Sequence, residues 1–103
     1  MQGVQLVRIQ TNLPWGVFKA KGGSWVAVCE PLALSVQSET WAELMEDIGD
    51  TLNAMLQDLL RSNELEKFLR DHGLEAVGPI PSHPDGPIRF DVPFIPAMMG
   101  LPA

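Results

Sequence analysis

The chain has 103 residues, 46% of them apolar, with a formal charge of −6 and a pI near 4.6. That length suits one hydrophobic core, and the apolar content excludes a disordered tail. The seven Lys and Arg are scattered, which argues against direct DNA or RNA binding, because phosphate backbones are held by clustered cations; a basic protein partner suits the charge better.

Residues 4–11, VQLVRIQT, are rich in branched side chains and predict a strand. Arg8 sits inside this only early apolar stretch and no cleavage pattern follows, so no signal peptide is expected. NLPWG interrupts with turn-type residues, and VFKAK at 17–21 alternates as a second strand. GGS supplies a hairpin turn. WVAVCE at 25–30 predicts a third strand, with Trp25, Ala27 and Cys29 alternating against Val26, Val28 and Glu30. Both rows are mostly apolar, which predicts a central strand covered on both faces. Pro31 has no N–H to give a ladder and ends it; ALSVQS at 33–38 is a further short strand.

Thr40 and Glu43 then form the T-x-x-E capping box that opens a helix. Leu44, Ile48, Leu52, Met55, Leu56 and Leu59 follow at helical spacing and predict a helix over about 41–61. Glu46, Asp50, Asn53, Gln57 and Arg61 are assigned to its solvated side. Asn63 with Glu66 offers the cap of a short second helix, ELEKFLRDH, which Gly73 stops. GPIPSHPDGP is too rich in proline and glycine for regular structure. IRFDV at 88–92 alternates as a half-buried strand, and Pro93 and Pro96 confine it to a sheet edge. The apolar tail either folds back over the core or pairs with a second copy.

The order β-β-β-β-α-α-β predicts an α+β fold: an antiparallel sheet of three to four strands packed on one long helix, a short second helix and a C-terminal edge strand. Residues 1–74 form the sheet-plus-helix domain. Residues 75–103 form a Pro/Gly-rich arm with a terminal strand, part of the same structural unit. No apolar run approaches the roughly 20 residues of a membrane span, so no membrane role is expected.

Candidate chemistry is sparse. Cys29 is the only cysteine, so it builds neither a disulfide framework nor a cysteine metal site, which fits a reducing cytoplasm. Mid-strand among Val and Ala it reads as a small buried hydrophobe. The competing reading is a Cys/His-dependent enzyme with His72 or His83 as base. Glu43, Glu46, Asp47 and Asp50 stand at i, i+3, i+4 spacing. They read as acids complementing the positive end of the helix dipole, with a docking surface or a shared hard cation as the alternatives. Phosphate-loop, dinucleotide-fold, serine-hydrolase and zinc-protease motifs are all missing. Trp25 reads as core, Trp41 as core or rim. Trp15, in its loop, is the aromatic best placed for a surface anchor, with packing on its own domain as the alternative.

GGSWVAVCEPLALSVQSETWAELMEDIGDTLNAMLQDLL, residues 22–60, resembles the HicB-like antitoxin family. The family pattern runs from a glycine turn through an aromatic-Val-Ala strand, a cysteine and leucine, a short strand and a capped helix. Gly23, Trp25, Val26, Ala27, Cys29, Leu32, Val36, Thr40, Glu43, Leu44, Ile48 and Leu52 stand at matching positions. The resemblance implies a truncated RNase H-like sheet-and-helix domain that neutralises a small basic mRNA-cleaving toxin by binding it. The chain departs in three places. TNLPWGVFK is extra material before Gly23. The family's glycine after the leucine is replaced by Ala33-Leu34. Residues 63–103 hold neither a helix-turn-helix nor a basic ribbon, so operator binding is not carried over and a stand-alone member is implied.

The expected function is therefore a non-enzymatic protein-binding module of cytoplasmic toxin–antitoxin type, with no cofactor, no metal and no catalytic residue. Its partner-binding residues are Trp15, Glu30, Glu39, Glu43, Glu46 and Asp50. The alternatives are a structural homodimer or higher homo-oligomer, joined through the final strand, and the Cys/His enzyme.

Overall fold

The computed structural model describes residues 5–11, 14–80, 87–94 and 96–98. The fold is α+β, with strands β1 (Gln5–Gln10), β2 (Trp15–Lys19), β3 (Trp25–Cys29) and β4 (Leu34–Ser38), helices α1 (Trp41–Arg61) and α2 (Leu65–Asp71), then β5 (Glu75–Val77), β6 (Ile88–Asp91) and β7 (Pro96–Met98). The strands form two sheets rather than one: β5-β1-β6 and β4-β3-β2-β7. The chain divides accordingly into two units, Met1–Asn12 with Leu52–Pro93, and Leu13–Thr51 with Phe94–Ala103.

In the second unit the local chemistry dictates the pairing. Gly22 and Gly23 take φ of 121° and 98°, open only to glycine at low cost. They turn β2 back onto β3 with Lys19 opposite Trp25. A single 3-10 turn, Glu30–Leu32, follows β3, and Ala33 closes it at φ 54° before β4 begins. Pro31 thus ends β3 as expected. The inward row, Trp15, Val17, Ala27, Cys29 and Val36, is buried, as are Leu44 and Ile48 on the first half of α1. Buried aliphatic side chains of this size contribute about 1.5–3 kcal/mol each. Thr40 Oγ1 accepts the Glu43 N–H at 3.1 Å, the hydroxyl half of the capping box. The outward row of β3 differs from expectation: Val26 and Val28 are half-exposed, so this sheet is covered on one face only.

The first unit is assembled by long-range pairing, which periodicity does not reveal. β1 pairs antiparallel with β5 and parallel with β6. Its core is Val7, Ile9, Leu52, Leu56, Leu65, Leu69, Leu74, Phe90 and Val92. β5 was not foreseen in the sequence, because three residues carry too little pattern to read as a strand. β6 lies at a sheet edge as expected, and β7, also unforeseen, pairs parallel with β2 in the second unit.

Asn63 is not the cap of α2. It takes φ 61° and ends α1: its N–H bonds Leu60 O at 3.2 Å and the Glu64 N–H bonds Leu59 O at 2.9 Å, the two bonds of a Schellman motif. Asparagine tolerates the left-handed conformation better than other non-glycine residues, which is why the helix stops there. Gly73 closes α2 in the same way, with Gly73 N to Arg70 O and Leu74 N to Leu69 O. Among the described residues no helix is long and apolar enough to cross a membrane.

Candidate functional site

Five of the six expected contact residues, Glu30, Glu39, Glu43, Glu46 and Asp50, are exposed, and all belong to the Leu13–Thr51 unit. Glu43, Glu46 and Asp50 follow at i, i+3 and i+7, one stripe along the first half of α1, with Glu39 just before its cap. Asp47 does not belong to this exposed set. Its carboxylate accepts a hydrogen bond from the Ser38 hydroxyl at 2.5 Å, tying α1 to β4. Glu30 stands apart from Glu39: Cys29 pairs with Leu34 at one end of the β3–β4 hairpin and Trp25 with Ser38 at the other. Those ends are four residue steps apart along the strand, roughly 13 Å.

Trp15 is a correction. It starts β2 instead of lying in a loop, is 1% exposed, and its ring lies 6.2 Å from that of Phe94. A side chain so enclosed presents no anchor to a partner. The exposed aromatic is Trp41, 38% accessible, packed edge-on to Trp25 with ring centroids 5.2 Å apart. Lys19 Nζ lies 5.5 Å from the Trp25 ring, within cation–π range.

Sequence reasoning missed a groove on the uncovered sheet face. Gly16, Phe18 and Val28, with Pro14, Glu30 and Pro31, bound an open concavity of about 720 Å³. Gly16 lies opposite Val28 and contributes no side chain to the sheet surface, which leaves the depression. The signal was present in WGVF, where Trp15 and Val17 alternate with Gly16 and Phe18; reading NLPWG as a turn hid it.

Of the two groups weighed for catalysis among the described residues, Cys29 belongs to the second unit and His72 to the first. Cys29 is completely buried in the second unit, and burial raises its thiol pKa, opposed by a weaker backbone hydrogen bond from Leu32. The thiol is therefore held in its unreactive protonated form. His72 belongs to the first unit, with Nδ1 2.9 Å from Phe68 O and its ring 4.2 Å from the Phe68 ring. His83 lies outside the described residues. Among the described residues no three His, Cys, Asp or Glu side chains are grouped to hold a metal ion.

Asn53 and Gln57 are the second correction. Assigned to a solvated face, they instead bond strand β6: Phe90 N–H donates to Asn53 Oδ1 at 2.7 Å, and Gln57 Nε2 donates to Ile88 O at 2.8 Å and to Asn53 Oδ1 at 3.2 Å. Hydrophobic spacing counts apolar positions only, so two amides one turn apart were indistinguishable from solvent-facing ones.

Against models of known families, curated proteins and solved structures, the chain finds no match.

Proposed function

We propose that this chain is a non-enzymatic protein-binding module, related to the HicB-like antitoxins, that occludes a small basic mRNA-cleaving protein in the cytoplasm. The observation that carries the reading is the exposed stripe Glu43, Glu46 and Asp50 on a capped helix, with exposed Glu39 just before the cap, in a chain of net charge −6. Complementary potentials speed encounter and select basic partners. Ala33 lends support to the family relation: where the family pattern has glycine, this backbone holds φ 54°, a conformation glycine adopts freely. The buried Cys29 supports a scaffolding role for the thiol.

The test is capture by the tagged chain from its native lysate at low salt, with the bound protein identified by mass spectrometry. The expected partner is small, has a pI above about 9, and loses its RNA-cleaving activity when mixed with the chain in equal amounts. Replacing Glu39, Glu43, Glu46 and Asp50 by Lys weakens that binding about tenfold or more. Retention of no basic protein, or inhibition unchanged by the four reversals, overturns the proposal. The enzyme alternative is met separately: a thiol reagent should label native Cys29 only as fast as the unit opens, and rapid labelling at neutral pH would restore it.

A further inference from the structure

The two sheets have four edges, and three of them carry features that discourage strand pairing. On β6, Ile88 O and Phe90 N point away from β1, given that Gln5 N bonds Pro87 O at 2.9 Å, and the amides of Gln57 and Asn53 satisfy them. β5 is three residues long, carries the exposed Glu75, and ends at Gly78 with φ 103°. β7 begins with Pro96, which has no N–H. Short length, charge, proline and side-chain cover are the devices by which edges are kept from pairing.

β4 has none of them. Leu34–Ser38 is five residues, uncharged and free of proline, with Ser35 and Gln37 exposed. Among the described residues only β3 bonds to the backbone of β4, and its outward N–H and C=O groups have no partner among them. From this contrast we infer that β4 is the homodimer edge: two copies pair antiparallel through Leu34–Ser38 about a twofold axis at Val36, joining two four-stranded sheets into one of eight. The strand's own sequence favours a second copy over a basic partner. It offers no charge to complement a cation, and the twofold register sets Ser35 against Gln37 of the other copy, hydroxyl facing amide. Cross-strand polar pairs of this kind stabilise a ladder, and like charges in those places destabilise it. The same register makes the uncovered faces of the two copies, with Gly16, Phe18 and Val28, one continuous surface. Strand β6, for which the sequence left open pairing within the chain or with a neighbour, pairs inside its own chain with β1.

Sedimentation equilibrium on the full chain tests this. The expected result is a species of twice the 11.3 kDa chain mass, favoured by added salt because two copies of charge −6 repel. Salt acts in the opposite sense on binding to a basic protein, so the two proposals succeed or fail separately. The double variant S35K/Q37K, with its fold checked by circular dichroism, should sediment as a monomer at concentrations where the parent is dimeric. S35E/Q37E should do the same, and an equal mixture of the two variants should recover the dimer through opposite charges across the edge. A parent chain that stays monomeric in high salt overturns the inference. So does a dimer that survives both lysines, or a mixture that fails to reassociate.

Discussion

Strand β6 joins β1 in parallel, and strand β7 joins β2 in parallel, each brought back from the far end of the sequence. The first is held by polar groups. Asn53 and Gln57 bond its backbone, Arg8 pairs with Asp91 at 3.5 Å, and only the Phe90 side chain is buried. The second buries no side chain within the strand itself; Met98 is 61% exposed. What lies next to it is the Trp15–Phe94 ring contact at its entrance. Two amides specify a register, because a one-residue slip would present the wrong backbone groups to them. Burial of the Trp15 indole beside Phe94 removes a large apolar surface from water but carries less positional information. The molecule thus uses direction in one unit and mass in the other to retain a strand of three or four residues.

The harshest break is Trp15→Ala. Removing a fully buried indole leaves a large cavity and should cost about 3–5 kcal/mol in urea denaturation. Amide exchange should accelerate at Ala97 and Met98. Trp41→Ala, at the exposed helix start, should cost far less. Equal losses for the two tryptophans would contradict the burial on which the comparison rests.

Asn53→Ala is next. It leaves the Phe90 N–H without its acceptor and should cost about 1–3 kcal/mol. Exchange of the Phe90 amide is the sharper readout, since that proton is held by one side-chain oxygen. If its protection is unchanged in the variant, the amides do not hold the strand.

How far the sequence disclosed all this follows the range of the interactions. The hairpin β2–β3, the strand β4 and the capped α1 depend on residues close in the chain, and their turns and caps were legible. Gly73 is legible as a stop, whereas Asn63 also fits a cap because asparagine serves both ends of a helix, and only the backbone places it at the end of α1. The split into two sheets, the parallel pairings and the roles of Asn53 and Gln57 depend on partners more than thirty residues away. No local pattern encodes them. At the candidate site the exposed acids were legible as charge at helical spacing, whereas the groove depends on Gly16 facing Val28 across a pairing. Ala33 lies between these cases, a local turn whose conformation is disclosed only by its backbone. Its left-handed φ costs an L-residue about 1–2 kcal/mol, and glycine gives part of that back as chain entropy. Ala33→Gly should therefore stabilise the protein by about 0.5–1 kcal/mol by thermal or chemical melting, and a loss of stability would refute the strain argument.

The mildest probe separates the amides from the ion pair on the same strand. Arg8 and Asp91 have side chains 62% and 46% exposed. A pair so solvated gains little Coulomb energy, loses side-chain freedom to form, and is screened by salt. Arg8→Ala should cost no more than about 0.5 kcal/mol at low ionic strength and nothing measurable in high salt. Asn53→Ala should keep its full effect at both, because a neutral hydrogen bond is not screened. A salt-independent loss for Arg8→Ala would mean that its aliphatic stem, rather than its charge, covers β1 and β6, and the polar account of the β6 tether would then reduce to the two amides alone.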